Sequence, residues 1–142
     1  MISTKGRYAL RVMVDLAEHR KGGEYLPMRE VARRQEISLK YLEQILPLLT
    51  KAGLLEGLQG KGGGYRLCRE PDEYSVGEIL RAAEGSLAPV SCLECGAKPC
   101  CRAAECRTLP VWKEYYRLTE EFFDGISLES LMNPGAGIEY VI

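Results

Sequence analysis

Apolar residues in the first fifty positions recur three and four residues apart, which is the spacing of one face of an α-helix. Ser3 or Thr4 is placed to cap a first helix. Pro27 begins a second helix, which runs from Met28 to about Gln35. Because each stretch is short and has one apolar face, the pattern predicts small helices packed around a common core.

A third helix is predicted from Ser38, which caps it, to about Lys51. An apolar stripe on this helix is expected to pack on the first two: Leu39, Leu42, Ile45, Leu46 and Leu49. Longer polar side chains remain outside near its start: Lys40, Tyr41, Glu43 and Gln44. Pro47 is expected to kink the helix. Two short helices joined by a tight turn, with polar side chains at the start of the second, are typical of a helix-turn-helix.

Residues 54–67 have the pattern of a β-hairpin, in which two short strands flank a glycine-rich loop. A hairpin directly after a helix-turn-helix is typical of a wing. Gly62 and Gly63 allow the loop to lie close to a sugar-phosphate backbone, where Lys61 and Arg66 supply positive charge. A nucleotide-binding loop is a weaker interpretation, because the sequence lacks the Gly-Lys-Ser/Thr ending of a P-loop.

The second half of the chain predicts two more helices. Ser75 and Glu78 form a capping box for a short helix that ends at about Glu84. Pro110 has the position of a first-turn proline in a long helix that continues to about Asp124. This helix has a wide apolar face, made of Val111, Trp112, Tyr115, Leu118, Thr119, Phe122 and Phe123. Such a face needs a partner, and the simplest is a second copy, so we expect a homodimer.

The predicted fold is mainly α with a small β-hairpin. A winged helix-turn-helix head is expected in residues 1–70. Residues 71–142 are expected to contain the linker helix, a cysteine-rich loop (about 85–107) and a long dimerisation helix (about 110–124).

The charge distribution supports this division. The 142-residue chain is 46% hydrophobic and has a net charge of −1. Residues 1–70 contain 13 Lys or Arg against 8 Asp or Glu, whereas residues 71–142 contain 6 against 12. A basic half joined to an acidic half fits a polyanionic partner for the first half, but it also fits ordinary solvated faces. The helix-turn-helix pattern favours the first interpretation, with double-stranded DNA as the partner.

Other classes of protein are disfavoured. No apolar run approaches the roughly 20 residues that span a bilayer, and residues 1–7 lack the apolar stretch of a secretory signal. We therefore expect a cytoplasmic protein without a membrane partner. No nucleophile–base pair stands out, and the single histidine, His19, has no evident partner, so we do not expect an enzyme.

Five of the six cysteines fall within residues 92–106. In a reducing compartment, such a cluster is more typical of metal ligands or redox sensors than of disulfides. Spacing alone fits an iron–sulfur centre, structural zinc or a thiol switch. The sixth, Cys68, follows a predicted strand and is expected to be a small core residue.

Three motifs together resemble bacterial winged-helix regulators of the Rrf-two family: the segments 3–9, 37–44 and 62–67, the last containing Gly62-Gly63-Gly64-Tyr65. The similarity covers about residues 2–131. It implies a homodimeric transcriptional regulator that binds DNA through its third helix and wing. In many members it also implies a [2Fe-2S] cluster.

The cysteine set resembles that of the IscR-like branch, which regulates iron–sulfur cluster biogenesis. That likeness implies three cluster ligands, Cys92, Cys100 and Cys106. The branch has a histidine as fourth ligand where this chain has Leu109, so the fourth ligand is open: Cys95, Cys101, Glu105 or a residue from the other subunit. An alternative is a repressor of cysteine metabolism like CymR, which lacks the cluster, and zinc is the alternative metal.

The resemblance and the side-chain chemistry also predict the DNA contacts. Tyr41 and Gln44 are expected to read bases or the backbone, and Glu43 to accept from cytosine or repel the wrong base edge. The remaining predicted contacts are Arg7, Ser38 and Lys40 at the helices, and Lys61, Gly62, Gly63 and Arg66 at the wing. Loss of the cluster is expected to change operator affinity or preference.

Overall fold

The computed structural model describes residues 1–94 and 104–132. Within them the chain forms five α-helices and one antiparallel β-hairpin. The helices are α1 (Thr4–His19), α2 (Met28–Gln35), α3 (Leu39–Lys51), α4 (Val76–Glu84) and α5 (Leu109–Asp124), and the strands are β1 (Leu55–Leu58) and β2 (Gly64–Leu67). The mainly helical fold with a small hairpin is confirmed.

Three serine side chains cap the helices at the predicted positions. The Ser3 hydroxyl accepts from the Lys5 amide at 3.2 Å, and Ser38 does the same for Tyr41 at 3.1 Å. Ser75 accepts from the Glu78 amide at 3.0 Å. Each bond satisfies one of the amides that a helix start leaves without an intrahelical partner.

The core contains residues from both sides of the predicted boundary at residue 70. Most of its buried side chains lie on α1, α2 and α3, with Leu54 and Leu55 at the start of the hairpin. Tyr74, Ile79 and Leu128 are buried in the same cluster. The helix-turn-helix therefore packs on α4 and on the residues that follow α5.

Two residues that the sequence assigns to the core are instead exposed. Leu39 is 45% exposed, because as the first residue of α3 it lines an open groove with Met28 at the start of α2. The prediction for Cys68 is also wrong: it follows β2 and is exposed, and its backbone amide donates to the Tyr74 hydroxyl at 2.9 Å.

A short backbone ladder attaches α5 to the rest of the chain. The Val76 amide donates to the Ile126 carbonyl at 2.8 Å, and the Leu128 amide donates to the Tyr74 carbonyl at 3.0 Å. Arg81 on α4 adds an ion pair with Asp124 at 2.5 Å. In the described residues, no helix combines the length and apolar character that crossing a bilayer requires.

Candidate nucleic-acid interface and cysteine segment

The start of α3 presents a polar surface next to α1. Lys40, Glu43 and Gln44 are exposed, as predicted from their spacing. Tyr41 is half-buried, and its ring meets the edge of the Tyr8 ring with centroids 5.3 Å apart and an interplanar angle of 74°. This aromatic pair fixes the first turn of α3 against the second turn of α1.

A buried carboxylate holds α1 and α2 together behind this surface. Asp15 is fully buried and accepts from Arg34 Nη2 at 2.7 Å, from Arg34 Nε at 3.0 Å and from Gln35 Nε2 at 2.9 Å. Burial by itself raises the pKa of Asp15, but the hydrogen bonds from Arg34 and Gln35 outweigh it and lower that pKa below 3.8. The ion pair therefore stays charged at neutral pH and fixes the end of α2, from which the turn to α3 begins.

The wing is held by a third extended segment as well as by its own two strands. The Leu26 amide donates to the Tyr65 carbonyl at 2.9 Å, and the Tyr65 amide donates back to Leu26 at 3.0 Å. Gly64 makes this approach possible, because it has φ +148° and a side chain there would overlap the Leu26 carbonyl. The loop that carries Lys61 and Gly62 is consequently exposed at the tip of a braced hairpin.

Arg66 is engaged at the base of the wing. Its Nε donates to Glu56 Oε2 at 2.9 Å, and its Nη1 donates to the Gly23 carbonyl at 2.7 Å. The guanidinium also stacks over Tyr25, 4.4 Å from the ring centroid. The predicted phosphate contact of Arg66 thus competes with three partners inside the chain.

Three other predicted cations are exposed at the head: Arg7 on α1, Lys40 on α3 and Lys61 in the wing. Their side chains form no salt bridge with the part of the chain that the structure describes. They are consequently available to a polyanion.

Two of the predicted cluster ligands can be placed. Cys92 is exposed in a 3₁₀ turn, Ser91–Leu93, and Cys106 is half-buried just before α5, with Sγ 3.4 Å from Thr108 Oγ1. Glu105 is exposed beside it. Cys95, Cys100 and Cys101 lie outside the described residues. No group of three or more metal-binding side chains forms within residues 1–94 and 104–132. The placed thiols fit iron–sulfur ligation by their donor chemistry.

His19 has a local role at the end of α1. Its Nδ1 lies 2.9 Å from the Asp15 carbonyl oxygen and 3.7 Å from Asp15 Oδ1. The sequence alone indicates no partner for His19, whereas the structure places its exposed ring against Asp15, one turn earlier on the helix.

A family model described as an iron-dependent transcriptional regulator, Rrf2, matches residues 2–134. The chain belongs to the Rrf2 family. Among curated relatives, the HTH-type transcriptional regulator IscR of Aliivibrio salmonicida (strain LFI1238) is 40% identical over 131 residues, covering 92% of this chain and 76% of that protein.

Solved Rrf2-type structures confirm the winged-helix fold. CymR, the global cysteine regulator of B. subtilis, is 36% identical with a TM-score of 0.72, and covers 93% of this chain and 95% of its own. T. potens IscR is also 36% identical, with a TM-score of 0.71 and coverage of 93% and 85%. This Rrf2 protein is therefore a transcriptional regulator, and the resemblance read from its motifs is confirmed.

Proposed function

We propose that this Rrf2 protein is a cytoplasmic, DNA-binding regulator that senses iron–sulfur status through a [2Fe-2S] cluster and controls genes of cluster biogenesis. The family description as iron-dependent and the 40% identity to an IscR protein support this proposal. The observation that carries it is the placement of Cys92 and Cys106. One follows α4 and the other precedes α5, and neither belongs to the hydrophobic core.

The cysteine segment is suited to a regulatory ligand. Thiolates of Cys92, Cys100 and Cys106 would hold the cluster, with a fourth ligand from Cys95, Cys101 or Glu105. The cluster would supply an oxidation-sensitive link whose stability depends on its ligands. The segment joins α4 to α5. A cluster that holds its two ends together would therefore change how the head is held relative to α5.

We assign the DNA contacts to the exposed start of α3 and to the tip of the wing. In the major groove, Tyr41 and Gln44 would reach bases or backbone. Glu43 would favour cytosine, because its carboxylate can accept a hydrogen bond from the cytosine amino group. Phosphates would be contacted from four positions on the helices and wing: Arg7, Ser38, Lys40 and Lys61. Gly62 and Gly63 let the wing lie close to the sugar-phosphate backbone.

The α5 helix supports a homodimer. Val111, Tyr115, Leu118 and Phe122 are exposed and are spaced by four, three and four residues, which is the repeat of a coiled-coil seam. The same face borders an apolar groove of about 470 Å³ lined in part by Ile2, Leu87 and Pro89. A second copy packed on this seam would bury it and set two heads on one DNA duplex.

A regulator of cysteine metabolism without a cluster is the second candidate. It is favoured by the likeness to CymR, which equals the likeness to T. potens IscR in sequence identity. It is also favoured by Leu109, which replaces the histidine expected as the fourth ligand in the IscR-like branch.

Iron and acid-labile sulfide analysis of protein purified without oxygen separates these candidates. We expect about two irons and two sulfides per chain in the wild type, and a large loss of both after Cys92→Ala, Cys100→Ala or Cys106→Ala. Cys68→Ser is the matched control, because Cys68 is an exposed thiol outside the segment. A colourless wild-type protein without iron would favour the CymR-like candidate, and stoichiometric zinc would favour a structural metal.

A further inference from the structure

Glu84, the last residue of α4, places its carboxylate at the N-terminus of α1. Glu84 Oε2 accepts from the Ser3 amide at 2.6 Å and from the Gly6 amide at 3.2 Å. The Ser3 hydroxyl donates to the same carboxylate at 2.8 Å. A carboxylate at this end of a helix is favoured by the helix dipole and by the unpaired amides of the first turn.

Gly6 leaves room for the Glu84 carboxylate. It is buried, and a side chain there would overlap Glu84 Oε2. Glu84 thus acts as a second cap for α1, supplied by a distant part of the chain, in addition to the local cap by Ser3.

The capped first turn of α1 lies beside the start of α3. Glu84 and Ala83 line one groove together with Thr4, Lys5 and Tyr41 of the head. Tyr41 in turn packs edge-on against Tyr8, one turn along α1 from Thr4. Tyr8 and Tyr41 are in direct contact, so a displacement of α1 that moves Tyr8 would also move the first turn of α3.

The residues that follow Glu84 in the chain lead directly to the cysteine segment. Gly85 ends α4 with φ +86°, and the Ala88 amide donates to the Ser86 hydroxyl at 3.1 Å. Leu87 is buried in a small cluster with α4, against which Ile2 packs. Leu87, which lies between Glu84 and Cys92, is thereby packed beside the start of α1.

We propose that Glu84 is a positioning residue that transmits the state of the cysteine segment to the recognition helix α3. Whether the ends of that segment are held together changes the constraint on residues 85–91, and through them the contact of the Glu84 carboxylate with Ser3 and Gly6 and the pose of Tyr41. This inference rests on the proposed function, since it needs both a cluster and DNA binding.

The test compares the affinities of cluster-loaded and cluster-free dimers for one operator DNA. Allosteric coupling of typical size predicts a difference of roughly 5- to 150-fold in the wild type. Glu84→Gln keeps the size of the side chain and removes its charge, and we expect it to bring the two affinities within about 2-fold of each other while leaving the cluster content unchanged. A merely structural role would weaken both forms equally and preserve their ratio.

Two further variants make the comparison secure. Gly6→Ala keeps the Glu84 charge but displaces the carboxylate by overlap, and it favours the helix intrinsically, so its effect on folding differs from that of Glu84→Gln. Like Glu84→Gln, it should bring the affinity ratio of the cluster-loaded and cluster-free forms close to one. Glu18→Gln, an exposed carboxylate on α1, is the control that should leave the ratio as in the wild type.

Hydrogen exchange gives a readout without DNA. The Gly6 amide should exchange at different rates in the loaded and cluster-free wild type, and at one rate in Glu84→Gln. If both variants keep the wild-type affinity ratio, the inference about Glu84 is overturned while the cluster proposal stands. If the wild type contains no cluster, or its two forms bind DNA equally, the proposed sensing and this inference fail together.

Discussion

Asp15 is the fully buried charged side chain among the residues that the structure describes. Its position on the apolar face of α1 is visible in the sequence, between Met13 and Leu16. Its partners are not, because Arg34 and Gln35 lie about twenty residues away, on α2. The network is favourable because hydrogen bonds satisfy both carboxylate oxygens, which offsets the cost of burying the charge.

Replacing Asp15 by Asn should lower the free energy of unfolding by about 2–4 kcal/mol at pH 7, since Arg34 then loses its counter-charge. The folded-state pKa of Asp15 lies below 3.8, so its contribution to stability is present above pH 4 and is lost as the pH falls through the folded-state pKa. The difference between wild type and variant should therefore shrink below pH 4. Urea unfolding at pH 7, 5 and 3 measures it, and an equal difference at all three values would contradict the assignment.

Single residues also show the limit of periodicity as a guide. Leu39 continues the apolar stripe of α3 and is exposed, because a repeat says which face a residue shares but not where the core ends. Its charge and its position in the predicted hairpin make Arg66 a candidate phosphate contact of the wing. Its interactions with Gly23 and Tyr25 depend on a loop more than forty residues earlier in the chain.

At the level of elements, substitution can separate the helix cap at Ser38 from its proposed DNA contact. Ser38→Ala should cost about 1 kcal/mol of stability through loss of the cap, and should weaken DNA binding. Ser38→Asp restores a cap of similar strength and adds negative charge at the helix start. We expect it to keep the wild-type stability in thermal unfolding but to weaken DNA binding at least 10-fold, through repulsion by phosphate. Unchanged binding by Ser38→Asp would place the start of α3 away from the DNA backbone.

The seam on α5 gives a second prediction at this level. Leu118→Glu puts a charge in the centre of the seam, so it should convert a dimer to a monomer in sedimentation equilibrium. Lys113→Glu is the matched control on the opposite side of α5 and should remain dimeric. A monomeric wild type, or a dimeric Leu118→Glu protein, would refute the seam as the interface.

The elements themselves were largely predictable because their signals are local. Ser3, Ser38 and Ser75 each cap a helix within three residues of their own position. The pairing of Leu26 with Tyr65 is not local, and no pattern within either segment specifies it. The candidate site divides in the same way: the exposed side chains of α3 follow from spacing, whereas the contacts of Glu84 do not.

The charge distribution of the whole molecule predicts strongly salt-dependent DNA binding. The logarithm of the affinity should fall linearly with the logarithm of salt concentration, with a slope of about −0.9 per phosphate neutralised. Arg7→Ala, Lys40→Ala and Lys61→Ala should each reduce the magnitude of the slope by about one per head. Fluorescence anisotropy at KCl concentrations from roughly 50 to roughly 300 mM measures this slope. Lys113→Ala is the control. A slope that none of the three variants changes would exclude them as phosphate contacts.

The boundary near residue 70 separates the predicted functions but not the packing. Tyr74 shows why: its hydroxyl donates to the Leu54 carbonyl at 2.7 Å and accepts from the amides of Cys68 and Arg69. The charge change along the sequence indicated where the basic part ends. It carries no information about which apolar residues complete the core of that part.

The ladder between residues 74–76 and 126–128 has a consequence for chimeric regulators. Joining residues 1–70 to the sensory part of another protein would remove Tyr74 and Leu128, and would leave the Leu54 carbonyl without its hydroxyl donor. Exchange of specificity between relatives should therefore succeed by grafting the exposed side chains of α3 and the wing tip. Transplanting a cassette of the first seventy residues should instead yield insoluble protein.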